Sequence, residues 1–209
     1  GEGNIRNPYQ ITTFEEFMYM ASKVNEGNNS QNYKGVVYRF ADYSLMTDID
    51  FEGNEFEGIG TQSNPFKGYF YGNGHTISNA VFSKALFNYI SGDFLIEGLE
   101  LKNITVTENE GALFVYDGSK GTFISLNNIM ATDCKFTGAG GSGLVYYGAE
   151  YGTYLFSFRM KNISYTGGGL TTALVKNTNY PVEAFYGVLI NSSCSYLCLN
   201  LYDGSTFTF

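Results

Sequence analysis

Two carboxylates and one imidazole are the residues of this chain whose types invite a catalytic reading. Asp48 and Asp50 stand two apart in Tyr43-Ser44-Leu45-Met46-Thr47-Asp48-Ile49-Asp50-Phe51, where strand alternation puts both on one face. Paired acids on a sheet are what cleavage of a glycosidic bond needs, and the same pair would begin a calcium site. His75, the single histidine, lies in Gly72-Asn73-Gly74-His75-Thr76-Ile77. A general base needs a group to orient it, and nothing nearby in sequence supplies one. His75 therefore reads as a hydrogen-bonded structural imidazole in or beside the core, not as a catalyst. Asp93, Asp117 and Asp133 occupy different places in their segments, so they add no aligned acid to the pair. No cofactor, no metal and no catalytic residue is expected, and the enzyme reading, a polysaccharide lyase or glycoside hydrolase, stands second.

The tyrosines suggest recognition in place of reaction. Tyr146, Tyr147, Tyr151 and Tyr154 crowd one segment, with Tyr116 and Tyr180 in the equivalent segments of neighbouring repeats. Exposed tyrosines present a ring face and a hydroxyl at low rotamer cost, which suits sugar rings or protein partners. The competing reading is that half of them line the core.

Repeats must position these groups. Leu99-Glu100-Leu101-Lys102-Asn103-Ile104, Ile124-Ser125-Leu126-Asn127-Asn128-Ile129 and Phe158-Arg159-Met160-Lys161-Asn162-Ile163 share one pattern, flanked by weaker copies over 75–80 and 187–192 that carry Asn79 and Asn191. Between them recur Ala85-Leu86-Phe87, Ala112-Leu113-Phe114, Gly143-Leu144-Val145 and Ala173-Leu174-Val175. Self-similarity at this period, strand-like and without a helix in each repeat, predicts an all-β, parallel β-helix of about five coils. Asn79, Asn103, Asn128, Asn162 and Asn191 are then corner residues, because Asn tolerates left-handed backbone angles, and their amides would stack as a ladder. One helix precedes the coils: residues 14, 17, 18, 21 and 24 are apolar, Thr13 and Glu16 make a capping box, and Gly27 stops it. The chain is expected to be a single domain over 1–209, with a cap over 1–27, coils over 36–196 and a terminal hairpin over 197–209 turning at Asp203-Gly204.

Composition narrows the partners. The net charge is −8, and the 12 basic residues form no run, which argues against nucleic acid and anionic membrane surfaces. No stretch approaches a membrane helix, so no membrane insertion is expected. Cys134, Cys194 and Cys198 have neither an even count nor metal-ligand spacing and read as small buried apolar residues.

The helix followed by Met46-Thr47-Asp48-Ile49-Asp50-Phe51, Ile59-Gly60, Pro65-Phe66-Lys67-Gly68 and Gly72-Asn73-Gly74-His75-Thr76-Ile77, with the later Gly/Ala-Leu-Phe repeats, resembles the GLUG-motif family of bacterial exported and cell-surface proteins. The resemblance covers most of residues 3 to 175, most closely 44 to 115. It implies a right-handed parallel β-helix, export, and a role in adhesion or surface display. Similar segments precede the catalytic domains of IgA-cleaving metallopeptidases, but one histidine and no HExxH leave no room for that zinc chemistry here. The first functional expectation is thus a non-catalytic, monomeric, extracellular or cell-surface adhesin-like module that binds glycan or protein, its export signal lying outside this sequence. A phage-type spike segment is the third.

Overall fold

The computed structural model describes residues 1–167, 174–176, 182–190 and 200–208. Over these residues the chain winds into a parallel β-solenoid of about five turns. Each turn lays one strand on each of three faces. The first face is opened by Tyr9–Ile11 and carries Tyr43–Leu45, Tyr69–Tyr71, the ends of Phe87–Glu97 and Val115–Asn127, then Gly152–Leu155. The second carries Ile49–Asp50, Thr76–Ser78, Glu100–Lys102, Ile129–Thr132 and Phe158–Lys161. The third carries Glu55–Phe56, Val81–Phe82, Thr105–Val106, Lys135–Phe136 and Ser164–Tyr165. Strand Val182–Ile190 runs through both of the first two faces, pairing with Gly152–Leu155 and Phe158–Lys161 in turn.

Register alone builds the core, because parallel in-register strands stack equivalent side chains. Phe70, Ile96, Leu126 and Leu155 form one buried column, Ile77, Leu101, Ala131 and Met160 a second, and Phe82, Val106 and Phe136 a third. The Ala/Gly-Leu-Phe/Val repeats give a fourth: Leu86, Leu113, Leu144 and Leu174 stack through their backbone hydrogen bonds. Burying each of these side chains except the Ala131 methyl contributes about 1.5–3 kcal/mol.

The corners between the second and third faces are left-handed at Asn79, Asn103 and Asn162, with φ of 54°, 52° and 55°. Asn128 is not one of them. It is left-handed (φ 50°) but lies one corner earlier, after the first face, level with Gly98. The residue that stacks with Asn103 and Asn162 is Asp133 (φ 55°), so the ladder steps become 24, 30 and 29 residues. Asn191 lies outside the described residues.

Helix Phe14–Glu26 closes the first coil. Thr13 Oγ1 accepts from Glu16 N at 3.2 Å, and Glu16 returns the bond one residue early, to Thr12 N at 2.6 Å. Phe17, Met20, Ala21 and Val24 are buried, and Phe17 meets Phe51, Phe56 and Phe70 at ring distances of 5.7, 5.6 and 6.5 Å. At the other end, no hairpin forms over 200–208. Asn200–Thr208 is one strand parallel to Val182–Ile190, and the Asp203-Gly204 step is taken up in a register shift, with Leu201 opposite Ala184 and Thr206 opposite Tyr186. Parallel pairing continues the solenoid, which an antiparallel return would interrupt.

Candidate functional site

Asp48 and Asp50 share a face, as alternation requires, but each already serves as an acceptor. Asp48 Oδ1 accepts from Thr76 N at 3.0 Å and lies 3.0 Å from His75 Nδ1. Asp50 Oδ1 accepts from Glu52 N at 2.8 Å and from the Asn79 amide at 2.9 Å. The Thr76 N–H first, then His75, holds the Asp48 carboxyl below its ordinary range, and the Glu52 N–H and Asn79 do the same for Asp50. Acids stabilised as anions by backbone N–H groups are poor proton donors, so the pair tightens a corner. Among the described residues no three His, Cys, Asp or Glu side chains converge as a metal site would need.

His75 does have a partner, Asp48, 27 residues back, which sequence adjacency did not reveal. Its backbone stands opposite Leu99, yet its side chain is 32% exposed, not interior. Gly72-Asn73-Gly74-His75 is a tight turn, with positive φ at Asn73 and Gly74 and His75 N donating to Gly72 O. The strand begins only at Thr76, so the inward alternation of Ile77 does not reach back to His75. Cys134 is buried as expected, its thiol pushed up to about 12 by desolvation, while Cys194 and Cys198 lie outside the described residues.

The tyrosines divide into two groups. Tyr89, Tyr116, Tyr146 and Tyr147 make one, with Tyr116 stacked on Tyr146 at 5.7 Å and Tyr147 edge-on to both. Lys84 lies over Tyr116 and Lys176 over Tyr146. Tyr146 is only 2% exposed and is therefore core, not a contact residue. Tyr151 and Tyr154 belong to a different surface. The strand Val115–Asn127 kinks between them, its register shifting between Asp117 and Lys120 and again between Gly121 and Phe123, so residues on either side of the kink face different ways. Tyr180 lies outside the described residues.

That second surface holds a groove on the outside of the first face, about 450 Å³, lined by Tyr69, Asp93, Phe94, Leu95, Phe123, Ser125, Tyr154 and Phe156. Tyr69, Leu95, Ser125 and Tyr154 stand in register on four successive rungs. Ser125 makes the dip, because its small side chain sits between Leu95 and the ring of Tyr154. Phe123 packs against Tyr154 at 5.8 Å and Tyr151 at 6.0 Å, and Tyr154 stacks on Phe156 at 6.2 Å. Phe123, Tyr151 and Phe156 are exposed by 36%, 59% and 43%. Sequence reading found Tyr151 and Tyr154 here and missed the rest. The signal was present: Tyr69-Phe70-Tyr71 and Phe94-Leu95-Ile96 are apolar at both parities, although one face of each strand meets solvent.

No protein-family model matches the chain, that of the GLUG-motif family included, and no curated protein matches it. A solved structure from Bacteroides ovatus, itself only provisionally assigned as an immunoglobulin A1 protease, is similar over 96% of this chain and 79% of that one, at 14% identity and a TM-score of 0.47. At that distance the similarity bears on neither reaction nor ligand. Among the described residues no helix is long and apolar enough to cross a membrane.

Proposed function

We propose that this chain is a non-catalytic binding module of an exported or cell-surface protein, adhesin-like in that a rigid solenoid presents a ligand surface, and that its ligand is a sugar chain seated in the groove of the first face. The observation that carries the reading is the cluster of rings, exposed at Phe123, Tyr151 and Phe156 and half-buried at Tyr154, held on or at the ends of strands around a dip at Ser125. Phe123 and Tyr154 are fixed on strands and the other two rings pack against them, so a sugar face stacking there loses little to reordering the protein. The register column from Tyr69 to Tyr154 spans three rung spacings, roughly 14 Å, the length of a short oligosaccharide. Binding without cleavage is supported by the engagement of Asp48 and Asp50 with backbone N–H groups on another face. The export and surface setting rests on the resemblance of residues 44 to 115 to GLUG-motif proteins.

The test is a glycan array followed by titration of the hits, with product analysis of the same polysaccharides after long incubation. Binding lost in Tyr154→Ala and Phe123→Ala, with substrates left intact, is the expected result. Shortened polysaccharide, or binding indifferent to both substitutions, would overturn the proposal.

A further inference from the structure

Asp93 is the one ionisable carboxylate in the groove lining, and it stands in register with Phe123 on the adjacent rung. It is exposed, and its side chain makes no hydrogen bond or ion pair among the described residues. The lining contains no Lys or Arg. Lys67 lies close by: its stem lies over Gly92, where an added Cβ would come within 2.7 Å of Cε, and no ion pair joins it to Asp93. Glu97, four residues beyond Asp93 on the same strand and at the same parity, adds a second carboxylate to that side. The chain as a whole carries −8.

An ionised carboxylate only accepts hydrogen bonds, so a ligand beside Asp93 must bring donors. Sugar hydroxyls are donors, whereas a uronate, sialic or sulfate group would place an anion against Asp93 with no arginine or lysine in the lining to offset it. From this we infer that the groove selects neutral, hydroxyl-rich oligosaccharides and rejects acidic ones, with Asp93 as the discriminating residue. The inference rests on the sugar-binding reading of the groove and adds the charge class of the ligand. A like charge at contact in a partly exposed site costs about five- to tenfold in affinity at low salt, less as salt screens it.

The experiment prints gluco-, manno- and galacto-configured hexasaccharides beside their C6-carboxylate and sulfated counterparts, and titrates the hits with wild type, Asp93→Asn and Tyr154→Ala. Neutral members should bind at least fivefold tighter than their acidic partners. Asp93→Asn should shrink that ratio by strengthening the acidic member, at an unchanged melting temperature since Asp93 is exposed. Tyr154→Ala should weaken both members alike. Equal or preferred binding of the acidic member by the wild type, or a ratio unmoved by Asp93→Asn, would overturn the charge selection while sparing the sugar site, provided Tyr154→Ala still weakens binding at least tenfold. Binding untouched by Tyr154→Ala, no binding to any sugar, or capture of a lysine-rich control peptide instead, would overturn both.

Discussion

The side-chain amide of Asn103 donates to Asn79 Oδ1 at 2.7 Å, one rung down, and Asn79 in turn donates to Asp50 Oδ1 at 2.9 Å. Asn162 repeats the contact on Asp133 at 2.7 Å. No bond joins Asp133 to Asn103, because an ionised carboxylate has no proton to offer the Asn103 carbonyl. The ladder is therefore two short runs separated at Asp133, on the exposed side of the corner.

Asn103 contributes both a bond and a backbone angle, and two substitutions separate them. Asn103→Gly keeps the left-handed angle (φ 52°) and removes the amide, at an expected cost of about 0.5–1.5 kcal/mol. Asn103→Ala should lose roughly 1 kcal/mol more, the penalty of a Cβ in that conformation. Urea denaturation of both variants reads the difference, and equal losses would count against the strained-corner account. Asn128→Gly, off the ladder, should be close to neutral.

Asp48 ties the corner at Thr76 and His75, and its carboxyl is held below the ordinary range in the folded state. A depressed folded value means the contribution is present above the unfolded value near 3.9 and is lost as pH falls through the folded one. Asp48→Asn keeps an acceptor for Thr76 N but cannot titrate. The wild type should lose melting temperature more steeply below about pH 4 than the variant does. The effect should be modest, because the carboxylate is largely exposed and screened. Parallel acid limbs would remove Asp48 from the account.

Phe17 is fully buried against Phe51, Phe56 and Phe70, so the helix is the lid of the first coil as well as a segment beside it. Phe17→Ala should cost about 3–5 kcal/mol. Removing residues 2–27 should uncover the apolar end and the first strands, giving aggregates by light scattering. A soluble monomer after that truncation would show that the helix is dispensable as a cap.

Much of this was legible because a solenoid writes its register into the sequence. Leu99-x-Leu101-x-Asn103 and Phe158-x-Met160-x-Asn162 announce the second face and its corner directly. Ile124-x-Leu126-x-Asn128 matches the same pattern but belongs to the first face, and the true counterpart, Ile129-x-Ala131-x-Asp133, is disguised by Asp and Ala. Local pattern cannot separate two corners that both demand a left-handed residue. The groove was hidden for a different reason. Tyr69, Leu95, Ser125 and Tyr154 are 26, 30 and 29 residues apart, and connections of unequal length erase that column from any fixed-period reading. His75 and Asp48 met for the same reason, one rung apart and 27 residues along the chain.

The two tyrosine groups predict opposite outcomes for substitutions that look alike on paper. Tyr147 packs on Tyr116 and Tyr146, away from the groove, while Tyr154 forms its wall between Phe123 and Phe156. Tyr147→Ala should leave affinity for any array hit within twofold, whereas Tyr154→Ala should lower it at least tenfold, about 1.4 kcal/mol. Ser125→Phe tests the dip itself. Position 125 points outward between Leu95 and Tyr154, flanked by inward Ile124 and Leu126, so a ring there fills the groove without entering the core. The variant should melt with the wild type and bind as weakly as Tyr154→Ala. If Ser125→Phe binds normally, the ligand does not occupy the groove, and if Tyr147→Ala alone abolishes binding, the functional surface is the other tyrosine group, over Lys84 and Lys176.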